Sequence, residues 1–200
     1  MNNTETKHRP EAEALLREYT KTQSLLNHAL AVEACMVWYA KFFQEQQQVK
    51  LDPETWALTG LLHDFDYEMF PEPVSPNGHP FKGNAILKEL GYPEEMTTAI
   101  MGHAHYTATP RESLLAKTLF AVDELSGLIT ACVYVRPDRS LNNLEVKSVI
   151  KKLKDKAFAR GCNRDDIKQG AEELGVPLEQ HIANCIEAMK PRAQELFGVS

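Results

Sequence analysis

Between residues 10 and 196, apolar side chains recur every three or four positions, and no stretch alternates them one by one. That spacing lines one face of an α-helix, whereas a half-buried strand needs a period of two. A chain patterned this way buries its apolar surface by packing helix on helix. Prolines and glycines cut the pattern into segments. A short helix is expected over residues 10–20. A long one follows over residues 21–48, with Leu25, Leu26, Ala29, Val32, Met36 and Phe43 on its apolar face. Asp52 and Pro53 open the next as N-cap and first helical residue, and it runs through WALTGLLHD. The segment FPEPVSPNGHP is the clearest loop, expected to lie over or beside whatever the preceding residues bind. Helices are then expected over residues 79–90, stopped by Gly91, and over 93–103. Pro110 starts a long apolar helix that reaches VYV and ends at Arg136-Pro137. Beyond Leu141, the residues Val146, Val149, Ile150, Leu153 and Ala157 form a further stripe, followed by helices over 163–174 and 178–196. The expected fold is all-α: residues 1–140 as one helical domain, and 141–200 as a helical extension packed on it.

Composition narrows the partners. With 43% hydrophobic and 25% charged residues in 200, the chain has the make-up of a globular protein large enough to bury a core without staples. A formal net charge of -6, from 22 basic and 28 acidic side chains, disfavours a nucleic-acid polymer or an anionic membrane as partner. No stretch approaches a membrane-spanning run, and MNNTETKHRPEAEALL lacks the apolar core of a secretory signal, so a cytoplasmic location is expected. Cys35, Cys132, Cys162 and Cys185 are widely separated and read as reduced, buried small hydrophobes. Nothing in the sequence sets an oligomeric state.

The chemistry-bearing residues stand out against apolar surroundings. His28 lies in LLNHALAVEA, the pair His63-Asp64 closes WALTGLLHD, and Asp123 lies in LLAKTLFAVDELSGLITA. Five of the seven histidines fall between residues 28 and 105. A carboxylate facing a core is costly unless something neutralises it. Imidazole and carboxylate are common ligands of divalent ions, and such ligands converge from different helices, because one helix offers neighbours only at i, i+3 or i+4. Singly, each residue has another reading: a hydrogen-bonded core histidine, a helix-end charge for Asp64, or a polar helix face for Asp123 with Glu124. Together, the order His, His-Asp, Asp on successive amphipathic helices needs several coincidences.

That order, with LLHDFDYE, HPFKGNAILKELGYPEE, AIMGHAHY and LFAVDELSGLI, resembles the HD-domain superfamily of metal-dependent phosphohydrolases, named for its His-Asp doublet. The likeness spans residues 20–135 and extends to small bacterial predicted hydrolases of the type, whose tail residues 141–196 resemble. It implies an HD-domain helical bundle in which His28, His63, Asp64 and Asp123 bind one divalent ion: Mn, Mg, Fe, Zn, Co or Ni. His79 and His103 occupy the places used by a second ion. His105 is a weaker candidate for it, since two positions along a regular helix differ by about 200°. The implied reaction is hydrolysis of a small phosphomonoester or nucleotide by metal-activated water, with Asp64 as ligand and anchor. Lys82 is the first candidate to face the phosphate, ahead of Arg111 and Arg136. Where many relatives carry Gly and Lys after the doublet, this chain has Asp66 and Tyr67, which leaves Asp66 and Glu68 as the nearest candidates for a general acid or base. Two other classes stay open, a non-catalytic metal- or nucleotide-binding signalling module and a di-iron oxygenase. Lys147, Lys151 and Lys154 share a helix face that is either solvated or phosphate-binding, and Asn163 reads as a helix cap.

Overall fold

The computed structural model describes residues 8–198. The segment before His8, part of the reading that found no secretory signal, lies outside that range. All regular structure among the described residues is helical. The order is α1 (Arg9–Tyr19), α2 (Gln23–Gln47), α3 (Pro53–Leu62), α4 (Phe81–Glu89), α5 (Glu94–His103), α6 (Leu114–Tyr134), α7 (Val146–Lys154), α8 (Arg164–Leu174), α9 (Leu178–Met189) and α10 (Ala193–Phe197). Short 3-10 turns cover His105–Thr107 and Lys190–Arg192.

Local chemistry sets most of these limits. Asp52 accepts the free amides of Glu54 and Thr55 at 3.2 and 3.3 Å, and Pro53 occupies a position whose N–H has no helical partner, so α3 starts where expected. Gly91, at φ +78°, turns the chain away after α4. Three expectations shift. The helix expected from residue 79 begins at Phe81, because the residue before a proline is pushed out of the α region and His79 precedes Pro80. The helix expected from Pro110 begins at Leu114, where Ser113 caps the amide of Ala116 at 3.1 Å. The helix expected over 178–196 breaks at Met189, since Pro191 lacks an amide hydrogen to continue it. Ala157 lies beyond the end of α7.

Helices α2 and α6 form the centre. The first packs against α3, α6 and α9, and the second against α5, α7, α8 and α9 as well. An apolar surface nearly all round suits α6 to that place: Leu119, Val122, Leu125, Leu128 and Ile129 are fully buried. Helix α8 approaches α6 closely because Gly170 has no side chain, and a Cβ there would stand 2.6 Å from the Cα of Ala121. Glu33 on α2 is buried between two guanidinium groups, with Arg9 at 2.8 Å and Arg192 at 2.7 Å. One carboxylate thereby joins α1 and the turn before α10 to the central helix. Cys35, Cys132 and Cys185 are buried free thiols, and Cys162 is half-buried. No helix among the described residues is long and apolar enough to cross a membrane.

A buried polar chain links α2, α6 and α9. His181 lies 2.9 Å from the carbonyl of Ala121 through Nε2 and 2.6 Å from the Tyr39 hydroxyl through Nδ1. A carbonyl only accepts, so Nε2 carries the hydrogen and Nδ1 accepts from the phenol. Burial pushes the His181 pKa down to about 4, outweighing the bond to Ala121.

Two consequences are measurable. Gly170→Ala is expected to lower stability by about 1–3 kcal/mol, the usual cost of forcing atoms into a filled contact, read as a lower urea midpoint. Because the folded state holds His181 neutral, its contribution is present above the unfolded pKa of 6.5 and is lost as pH falls toward 4. Wild type should therefore lose about 2 kcal/mol more than His181→Gln between pH 7.5 and pH 5 in urea titrations. Parallel losses in the two proteins would show that burial does not hold this ring neutral.

Candidate metal centre

Six residues from five segments of the chain meet beside the middle of α6. His28 comes from α2, and His63 and Asp64 from the end of α3, where the helix gives way to a turn. His79 closes the proline-rich loop, His103 is the last residue of α5, and Asp123 sits mid-way along α6. They form two trios that share one member: His28, His63 and Asp64, then Asp64, His79 and His103. Asp64 turns Oδ2 toward His63 at 3.5 Å and His28 at 3.9 Å, and Oδ1 toward His79 at 3.2 Å and His103 at 3.3 Å. Asp123 joins the first trio, its Oδ1 at 3.0 Å from His28 and 3.5 Å from His63.

Tautomers give the test of whether a cation belongs here. His63 donates from Nδ1 to the carbonyl of Gly60 at 2.8 Å, and His103 donates from Nδ1 to the carbonyl of Ile100. His79 donates from Nδ1 to Asp66 at 2.7 Å. When neutral, as a metal ligand must be, each of these three rings has its lone pair on Nε2. Yet His63 Nε2 stands 3.2 Å from His28 Nε2, and His79 Nε2 stands 3.2 Å from His103 Nε2. The facing lone pairs of neutral His79 and His103 repel at that distance unless a positive charge lies between them, and His28, within 3.0 Å of Asp123, completes a second imidazole pair at the same spacing. Two nitrogens bound at about 2.1 Å to one ion stand about 3.0–3.4 Å apart at ordinary coordination angles. The residues fit divalent ions, and the outward Nδ1 bonds are the orienting contacts that metal-ligating histidines usually have.

The electrostatics agree. Burial opposes charge on His63, but Asp64 and Asp123 outweigh it and hold the pKa up, at about 9. Burial likewise opposes charge on His79, and its bonds to Asp64 and Asp66 raise it to about 10. Asp64 and Asp123 resist burial and stay well below the usual carboxylate range because of the imidazoles around them. The pocket is thus built to surround positive charge.

Other residues singled out in the sequence are placed differently. Asp66 is buried and faces away from the trios. It accepts from His79 Nδ1 at 2.7 Å and from the amide of Gly83 at 2.7 Å, so it orients a ligand rather than meeting substrate. Gly83 is required there, since a Cβ would fall 2.5 Å from the Asp66 carboxyl carbon. Glu68 caps the start of α2, accepting from the amides of Lys21 at 2.8 Å and Thr22 at 3.0 Å. Lys82 extends over the ring of Phe70 instead of into the site. His105 turns to Asp166 at 3.0 Å and lies outside both trios. Arg111 is tied to Glu173 at 2.6 Å and stacked 3.7 Å from the Phe120 ring, and Arg136 pairs with Asp138 on the surface. Lys147 is exposed beside Glu145.

Above the trios opens a cleft of about 340 Å³. Its sides include Tyr67, Tyr106, Phe120 and Glu124, with Asn163 and Asp166 from the start of α8. The wall on α8 and the orienting role of Asp66 escape a reading of the sequence. Asn163 does cap α8, at 3.0 Å from the amide of Asp165, but it also lines the cleft. Glu124 holds that wall in place by accepting the amide of Asn163 at 3.0 Å. Burial, helped by the neighbouring Asp123, raises the Glu124 pKa to about 7. The one sequence signal for Asp66 was its departure from the Gly found in relatives, which left both a structural role and that of an acid or base open and did not name His79 as its partner.

Asp66→Asn and Gly83→Ala are each expected to weaken by about 10–100-fold the binding of an ion that His79 and His103 would hold, the usual cost of losing an orienting partner. Chelator competition should then strip one of two ions early. Equal weakening of both ions would disprove the assignment of Asp66 to His79.

Comparisons with curated proteins and with solved structures returned no match for the chain. The family model described as HD domain matches residues 25–128, which include all six residues of the two trios and Asp123. Over half its length, therefore, the chain belongs to the HD domain family of metal-dependent phosphohydrolases.

Proposed function

We infer that the protein hydrolyses a small phosphomonoester or nucleotide, using two divalent ions held on either side of Asp64. The observation that carries this reading is the shared carboxylate, with one oxygen directed to each pair of imidazoles. His28, His63 and Asp123 would hold one ion, His79 and His103 the other, and Asp64 both. When bound, such ions supply an acidified water and polarise phosphoryl oxygens.

Charge supports the same reading. Asp64, Asp123, Glu124 and Asp166 line the cleft, and no lysine or arginine does so among the described residues. A phosphate needs a positive field, and here bound ions would be its source. Two divalent ions against two ligand carboxylates leave a net charge of about +2, which offsets a phosphate dianion. The chain's own part is to orient and to enclose. Asp66 fixes the ring of His79, and the His105–Asp166 contact closes one side of the cleft. Phe120 supplies an apolar surface beside it. A volume of about 340 Å³ suits a small ester rather than a polymer.

Protein purified without chelator is expected to carry about one or two ions per chain by elemental analysis, and to cleave phosphomonoesters when supplied with Mn, Mg, Co or Ni. Asp64→Asn should lose metal and more than about 10²-fold in kcat/KM, exceeding the effect of an outer contact. Full metal retention by a His63→Ala/Asp64→Ala double variant would sink the assignment. Iron content with an oxygen-dependent optical change, and no phosphoester turnover, would transfer the site to oxygenase chemistry. Nucleotide binding without turnover would make it a signalling module.

A further inference from the structure

We propose that Tyr67 is the catalytic acid of this cleft, giving its phenolic proton to the leaving oxygen of an aliphatic phosphomonoester. This rests on the phosphohydrolase reading above and adds to it the class of ester. An alkoxide is a poor leaving group, and a positioned acid contributes about 10²–10⁴-fold to such a departure. The acids that the sequence suggested are spent elsewhere, Asp66 on His79 and Glu68 on the start of α2.

The residues lining the cleft leave few alternatives. Tyr106 commits its hydroxyl hydrogen to the carbonyl of His79 at 2.8 Å. His105 is bound to Asp166 at 3.0 Å with its ring edge against Phe120. Glu124 accepts the amide of Asn163 at 3.0 Å through Oε2, which ties it to the α8 wall and leaves it the one other acid of the cleft. The hydroxyl of Tyr67 has no hydrogen-bond partner among the described residues. Its backbone is fixed to the doublet by an amide bond to the carbonyl of Asp64 at 3.0 Å. Its ring stands edge-on to His79, centroids 5.5 Å apart and planes at 85°. At 45% exposed, Tyr67 reaches the mouth of the cleft while still lining it beside Asp64. A phosphate drawn to the floor by its charged oxygens presents its ester oxygen toward that mouth.

The step balances without a co-reactant. The bond between phosphorus and the ester oxygen breaks, and its electron pair goes to that oxygen. The phenolic proton moves to the same oxygen, and a neutral alcohol departs. The oxygen of water forms the new bond to phosphorus. One of its protons returns to the tyrosinate by way of solvent, and the products are alcohol and inorganic phosphate.

The test compares wild type with Tyr67→Phe, both full-length and metal-loaded, on propyl phosphate and p-nitrophenyl phosphate. The variant is expected to lose about 10²-fold or more in kcat on the propyl ester and less than about threefold on the nitrophenyl ester, whose leaving group needs no proton. Metal content should match wild type. By calorimetry, ethylphosphonate, which has carbon in place of the ester oxygen, should bind both proteins with the same Kd. An equal loss on both esters, no loss on either, lost metal, or tenfold weaker ethylphosphonate binding would each overturn the proposal. So would a wild type that cleaves only the nitrophenyl ester. A wild type that cleaves neither ester removes the phosphohydrolase reading itself, and this proposal with it.

Discussion

Asp64 presents one oxygen to His28 and His63 and the other to His79 and His103, and four separate parts of the chain have to arrive together for that to happen. The side chain lies at the junction of α2, α3, α5, α6 and the loop that ends at His79. A carboxylate in that position is tolerable only because positive charge surrounds it on two sides. The apolar faces of the helices fix where the segments run. The polar cluster fixes where they stop, since His63 and His103 each sit at a helix end and bond back to a carbonyl three residues earlier.

The parts of this arrangement that the sequence discloses are those that break a local pattern. His28, His63, Asp64 and Asp123 interrupt apolar helical runs, and an interruption of that kind has a cost that some partner must offset. The helices were legible for the same reason, because a 3.6-residue period persists through most of the chain. Helix starts were less legible. Ser113 and Pro110 both look like starts, and only the bond from Ser113 to Ala116 decides between them.

Residues whose roles depend on distant partners stayed hidden. Asp66 looked like an acid near the doublet, but its two bonds run to His79 and Gly83, thirteen and seventeen positions away. Lys82 looked like a phosphate ligand because it stands near His79 in sequence, yet its ammonium faces Phe70. Tyr67 gave no signal beyond occupying an unusual place after the doublet. Only the fold shows its ring beside His79 at the open side. In each case the missing information was a direction rather than a position, and one-dimensional spacing does not encode direction across a turn.

The floor and the wall of the cleft have different origins along the chain. All six residues of the floor fall within the stretch that matches the family, residues 25–128, whereas Asn163 and Asp166 lie beyond it. They are carried by a helix that leans on α6 through Gly170 and Ala121, a contact made of backbone and small groups that needs little from the residues of the floor. Natural selection can therefore act on the two surfaces separately. Changes along the first turn of α8 would alter the shape and charge that an incoming molecule meets, while the residues beneath stay as they are. A lineage that kept its chemistry and changed its diet would be expected to record the change on α8.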